Sequence, residues 1–269
     1  MPHAIWNGSI SFGLVTIPVS LMPAEDRSAQ LSFHMLDGRD LSPIRQKRVN
    51  ESTGKEVAWD DIVKGYQLSD DRWVVLTEDD FRTANVEATQ TIDILAAVCA
   101  DEIDATYYAT PYHLVPAKSG RKAYALLREA LASAERVALA KIVIRTRQHL
   151  AAIVPKDEML LLEILRYPYE LRSAEGLDVP SADLAAVGAT EAELAMATEL
   201  VKTISTSFEP EAEVYRDSYR DDLLALIEAK AEGGEAIAAA APPQAEPAEV
   251  VDIMVLLKRS LEQAKRAGA

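Results

Sequence analysis

What this chain of 269 residues has little of narrows its chemistry first. It contains one cysteine, Cys99, so no intramolecular disulfide can form. Cys99 lies in the apolar run IDILAAVCA, where a free thiol is expected to behave as a small, inert core hydrophobe. The four histidines, His3, His34, His113 and His149, are scattered without metal-ligand spacing. The sequence has neither a GxxxxGK phosphate loop nor a GxSxG nucleophile elbow. Paired acids occur at Asp60-Asp61, Asp70-Asp71 and Asp79-Asp80, but adjacent acids in turns read as solvated surface rather than as a general acid and base. The expectation is a protein that is not an enzyme and holds no metal or cofactor. No window approaches the roughly 18 to 20 uninterrupted apolar residues that a bilayer span needs. The opening MPHAIWNGSISFG shows neither a basic leader nor a small-residue cleavage site, and a cytoplasmic protein is expected.

The next shortage is of positive charge. The formal net charge is -15, which on average disfavours nucleic acid, because affinity for phosphates requires local excesses of Lys and Arg. The average conceals a division. Residues 174–269 carry 8 Lys and Arg against 19 Asp and Glu, whereas residues 1–173 hold 20 against 24. Within the first part, Lys118, Arg121, Lys122, Arg128, Arg136, Lys141, Arg145 and Arg147 face only Glu129 and Glu135 over residues 118–147.

Periodicity supplies the coarse organisation. IWNGSISFGLVTIPVSLMPA is β-rich, punctuated by Gly8 and Gly13, with Pro18 expected to keep its strand from a central position. Residues 34–81 break into short segments at Asp37-Gly38, Thr53-Gly54 and Asp70-Asp71, with DRWVVLT as a strand and Thr77 as the cap of a helix. Trp6, Trp59 and Trp73 are expected in the core. Residues 90–117 read as strand, acidic turn and extended segment. Ser119 then caps a helix over 120–134 whose buried stripe is Ala123, Leu127, Ala130, Leu131 and Ala134. RVALAKIVIRTRQHLAAIVPKDEMLLLEILRY follows as two or three strands. Its odd positions put Lys141, Val143, Arg145 and Arg147 on one face, making one side of a sheet cationic.

From about residue 188 the period becomes helical. Thr190 and Glu193 form a capping-box signature before a stripe of Leu194, Ala197, Leu200, Val201 and Ile204. A second helix closes at Gly233-Gly234, EAIAAAAPPQAEPAE has the composition of a linker, and VVDIMVLLKRSLEQAKRAGA regains helical spacing. The division expected is therefore a core over 1–175, a helical arm over 176–232, a linker over 233–249 and a tethered terminal helix over 250–269.

The cations ask for a partner. Arg121 and Lys122 occupy the first turn of a helix, where the macrodipole disfavours positive charge by roughly 0.3–1 kcal/mol. Open N–H groups at a helix start attract anions, and added Lys and Arg make a better phosphate site. On residues alone, polyanion binding competes with a salt-bridged surface.

These segments resemble the bacterial Ku proteins of double-strand-break repair. The resemblance is carried by AIWNGSISFGLVTIPVSL, GKEVAWDDIVKGYQLSDDRWVVLTEDD, YHLVPAKSGRKAYALLREAL, RTRQHLAAIVP and LLLEILRYPYELR in order. It continues through AMATELVKTISTSFEPEAEVYRDSYRDDLLALIEAKAEG and VVDIMVLLKRSLEQAKR, and covers nearly all the chain apart from the linker. It implies an α+β fold: a Ku-type β-barrel core with a helical C-terminal arm exchanged within a ring-forming homodimer. That ring would thread onto double-stranded DNA ends without reading sequence, in a cytoplasmic, nucleoid-associated setting. The C-terminal region would recruit an ATP-dependent repair ligase, ligase D, for non-homologous end joining.

On this resemblance the expected phosphate contacts are Lys118, Arg121, Lys122, Lys141, Arg145 and Arg147, with Arg45, Lys47 and Arg48 as a second patch. The expected ligase contacts are Val251, Met254, Leu257, Lys258 and Leu261. Some relatives carry cysteines near RVNESTGKEV that suggest a metal knuckle; this chain has none there, and no zinc is expected. The rival reading is an acidic interaction scaffold without end-specific DNA binding.

Overall fold

The computed structural model describes residues 3–84, 90–233 and 252–267. The chain divides into two compact units, 1–173 and 174–269. Val251 and linker residues 234–249 lie outside the described residues.

The first unit is built on a closed barrel. A hairpin of β1 (Trp6–Phe12) and β2 (Val15–Pro23) turns at Gly13, whose φ of 59° lies in the left-handed region that glycine adopts freely. Next come the ribbon of β3 (Lys64–Gln67) and β4 (Trp73–Leu76), and then α1 (Glu78–Ala84). As expected, Thr77 caps α1, its hydroxyl oxygen accepting the Asp80 N–H at 3.2 Å. The remaining elements are β5 (Thr91–Val98), β6 (Tyr108–Pro116), α2 (Arg121–Ser133), β7 (Val137–Ile144), β8 (Arg147–Lys156) and β9 (Met159–Leu165). The barrel runs in the order β1, β2, β6, β9, β8, β7, β5. Every neighbouring pair is antiparallel except β1 with β5, whose parallel register from Ser9–Thr91 to Ser11–Asp93 closes the sheet.

Alternation along each strand fills the interior. Ile10, Ile17, Leu21, Ile92, Leu114, Ile142, Ile153, Leu160 and Leu162 are essentially inaccessible, with Ala138, Ala140 and Ala151 between them. A barrel this small has room for such a mixture of large and small side chains and for no channel. Pro18 proves compatible with a strand paired on both sides. The β2–β6 ladder begins one residue later, at Val19–Pro116, so the missing N–H costs no ladder bond, while the Pro18 carbonyl accepts from Ala117 N–H. Cys99 follows β5 and is half-buried, outside the core. Trp59 and Trp73 are 68% and 64% exposed, contrary to expectation, because among the described residues no second layer covers the ribbon. Only Trp6 packs against the core.

Helix α2 closes one end of the barrel with Tyr124, Leu127 and Leu131. Tyr124 is the anchor. Its hydroxyl donates to the Leu114 carbonyl at 2.7 Å and accepts the Leu160 N–H at 2.6 Å, joining β6 to β9, and burial raises its pKa. Ser119 is not the cap. It lies in a 3-10 turn, Lys118–Gly120, and Gly120 takes the N-cap position without a side-chain bond. A Cβ there would sit 3.0–3.3 Å from Pro18 atoms, so the close approach of the chain to β2 decides the residue.

The second unit contains α3 (Glu191–Ile204), α4 (Ser218–Ala231) and α5 (Ile253–Ala267). Thr190 and Glu193 form the capping box read from the sequence. Among the described residues, no helix is long and apolar enough to cross a membrane.

Replacing Tyr124 by Phe leaves the Leu160 N–H and Leu114 carbonyl unsatisfied inside the protein, at an expected cost of about 1–3 kcal/mol. A urea titration checks this; Leu127→Ala, which opens a cavity under α2, is expected to cost about 2–5 kcal/mol.

Candidate nucleic-acid interface

The cations nominated from the sequence fall into separate groups. The first surrounds the start of α2, where Lys118, Arg121 and Lys122 are all exposed. The first turn of this helix carries no acid and no side-chain cap, and none of the three cations pairs with a carboxylate among the described residues. With no acid and no side-chain cap beside them, the three cations present an uncompensated positive pole. Arg128, further along α2, is engaged instead: it donates to the Glu158 carbonyl at 2.7 Å and lies 3.5 Å from Glu129.

The second group does not form the cationic strand face expected. β7 ends at Ile144, and Arg145-Thr146 make the hairpin turn, with Arg145 at a φ of 59°. The turn breaks the alternation. Lys141 points outward from the middle of β7, opposite Asp93 and Leu150, while Arg147 starts the next strand in the inward-facing parity of Ala151 and Ile153. Strand register puts the Arg145–Arg147 turn at the end of the barrel opposite α2.

That open end is a cavity of about 720 Å³ lined by Tyr112, Arg145, Arg147 and His149, among others. Arg147 is held by the Glu170 carboxylate, which also accepts from the Tyr167 N–H. Both contacts hold the Glu170 pKa below its usual range, and the pairing raises that of Arg147. Tyr167 and Tyr169 stack beside them with ring centroids 5.5 Å apart. His149 is half-buried, and burial, then the Arg147 guanidinium, push its pKa down.

The third group lies on the exposed segment that holds the β3–β4 ribbon. Lys47 reaches Glu56 at 2.6 Å, and Arg48 sits 4.3 Å from the centre of the Trp59 ring. Arg45 is exposed. On the same stretch of chain Phe33, Met35, Leu41, Tyr66 and Trp73 are also exposed, so the segment carries both cations and bare apolar side chains.

Comparison with known proteins gives this arrangement its family. The family model described as the Ku70/Ku80 beta-barrel domain matches residues 11–196, which takes in the end of β1, the other six barrel strands and α2. The chain is 45% identical over 261 residues to the non-homologous end joining protein Ku of Opitutus terrae, covering 97% of this chain and 92% of that protein. It is 46% identical to the protein of that name from Cupriavidus necator, covering 98% and 78%, and 43% identical to that of Pseudomonas aeruginosa, covering 100% and 90%.

The chain belongs to the Ku family.

The sequence reading singled out the α2 cations, which the fold leaves exposed and unpaired among the described residues, and missed how tightly Arg147 is bound. Glu170 lies 23 residues further on, in a 3-10 turn after β9, and nothing in linear spacing signals the contact. Tyr124 was also missed, since the Ala and Leu stripe alone explained the helix. In the C-terminal helix, Met254, Leu257 and Leu261 are half-buried and Lys258 is exposed.

The lowered pKa of His149 sets a pH dependence. Below about pH 6.5 the unfolded chain takes up the imidazole proton before the folded one does, so stability falls as pH drops through that value toward the folded pKa. The expected result is a lower urea midpoint at about pH 5.5 than at about pH 7.5, with the difference reduced in His149→Gln.

Proposed function

We propose that this Ku chain acts in non-homologous end joining, as a non-catalytic homodimer that encircles double-stranded DNA ends and recruits an ATP-dependent repair ligase. The observation that carries the reading is the start of α2, where Lys118, Arg121 and Lys122 stand unpaired beside a first turn that has no acid and no side-chain cap, in a chain of net charge -15. An acidic protein that leaves such a pole uncompensated gains from an anion supplied from outside. The phosphate backbone is that anion, and it carries no sequence information. The names of the relatives, each a non-homologous end joining protein Ku, support the same reading.

Exposure of the ribbon supports two copies. A single chain leaves Trp59, Trp73, Tyr66, Phe33 and Met35 facing solvent, and bare aromatic side chains of this kind are the material of a protein interface. A second copy would cover part of it, and Arg45, Lys47 and Arg48 on the same segment would lie close to the DNA. Within the ring, phosphate contacts come first from the α2 group and Lys141. Arg145 and Arg147, at the other end of the barrel, make a separate contribution, reduced for Arg147 by the Glu170 contact. The C-terminal helix supplies the ligase contact, through the apolar residues Met254, Leu257 and Leu261 with Lys258 beside them.

The test compares a linear duplex with the same sequence closed into a circle, in a gel shift at moderate salt. Preference for the linear form supports threading, and each lost phosphate contact should lower the salt slope by about one. Arg121→Glu with Lys122→Glu is expected to weaken linear binding at least tenfold. Equal binding to both forms, or none to either, sinks end threading and favours the acidic scaffold. For recruitment, Leu257→Asp with Leu261→Asp is expected to abolish capture of the repair ligase in a pull-down while leaving DNA affinity within about twofold, since both side chains are apolar and remote in sequence from the barrel.

A further inference from the structure

The C-terminal helix is not bare. Within the second unit α5 packs against α3. In each helix a single stripe is shielded. On α5 it is Met254, Leu257, Leu261 and Ala264, at the spacing of one helical face, and on α3 it is Met196, Ala197, Leu200 and Thr203. Ile253, Val255 and Leu256 remain exposed on α5, as do Leu194, Val201 and Ile204 on α3, so the shielding belongs to the shared seam and not to general burial. Charge agrees with the pairing. α3 carries Glu191, Glu193 and Glu199 against one base, Lys202, and α5 carries Lys258, Arg259, Lys265 and Arg266 against one acid, Glu262.

The side chains in this seam are the ones that ligase recruitment would use. We propose that α3 is the resting seat of α5 within the chain, so that an incoming partner must displace α3 to take the apolar face of the helix. This inference rests on the ligase reading for the identity of the partner and is independent of it for the docking itself. An amphipathic helix binds a partner groove through its i, i+3, i+4 and i+7 side chains, and α3 already occupies that face. When only the undocked fraction of molecules can bind, the apparent Kd rises by the inverse of that fraction. A helix held on its own chain meets a high effective concentration, so even a short seam keeps that fraction low.

The experiment uses the full chain and two readouts. Ala197→Glu places a charge in the seam while keeping a good helix former in α3, and Leu200→Gln removes apolar surface from the same stripe, in case either one alone disturbs the helix. Amide hydrogen exchange over residues 254–264 is expected to quicken at least tenfold in both variants. Binding of recombinant repair ligase, followed by interferometry, is expected to tighten about three- to tenfold. Equally fast exchange of the α5 amides in the parent and both variants would show that the helix is not seated on α3 and would overturn the proposal. Faster exchange with unchanged ligase affinity would overturn the masking. If the helix is released in the variants but no chain binds ligase, the docking stands and the recruitment reading fails.

Discussion

The parallel pairing of β1 with β5 over Ser9–Thr91 to Ser11–Asp93 is the contact on which the first unit depends. Without it the sheet would be open, with β1 and β5 presenting unpaired N–H and C=O groups and the Ile10 and Ile92 side chains losing their common interior. Closure makes one core out of seven strands that come from distant parts of the chain. It also fixes two ends of different character. Tyr124, Leu127 and Leu131 seal one end, and the other opens between Tyr112, Arg145 and Arg147.

Placement of charge follows from that closure. The inside of the barrel admits no buried polar or charged residue among those described, so the cations are confined to its outer surface, its ends and the projecting segment. Where a cation can reach a carboxylate, as Arg147 reaches Glu170 and Lys47 reaches Glu56, an exposed pair forms and contributes little to stability. Where it cannot, as around the first turn of α2, the positive pole is left for an external ligand. The acidity of the rest of the chain then has a use. In the proposed ring, negative surface elsewhere would steer DNA toward the few places where phosphate contact is favourable.

The second unit has no comparable core. None of its described residues is fully buried, and its helices each bury one narrow stripe at most. Amphipathic helices of that kind are stable when something covers the apolar side. Between α3 and α5 each helix covers the other, which gives the terminal helix a structural duty alongside any recruiting one.

The sequence by itself determined the elements. Alternating apolar residues specified β7, β8 and β9, the Thr190 and Glu193 pair specified the start of α3, and the segregation of charge singled out the start of α2. Those signals are local, because strand period, caps and charge density are properties of neighbouring residues. Family membership was also legible in the ordered motifs from AIWNGSISFG to LLLEILRYPYELR, and the family match and the relatives carry the same conclusion. Tertiary structure alone decided what the elements do together. It put Arg145 in a turn, set Arg147 against Glu170, made Gly120 the cap of α2 by pressing it on Pro18, left Trp59 and Trp73 bare, and seated α5 on α3. Each of these depends on contacts between residues far apart in sequence, whose meeting is fixed by barrel closure and helix packing and leaves no trace in local pattern.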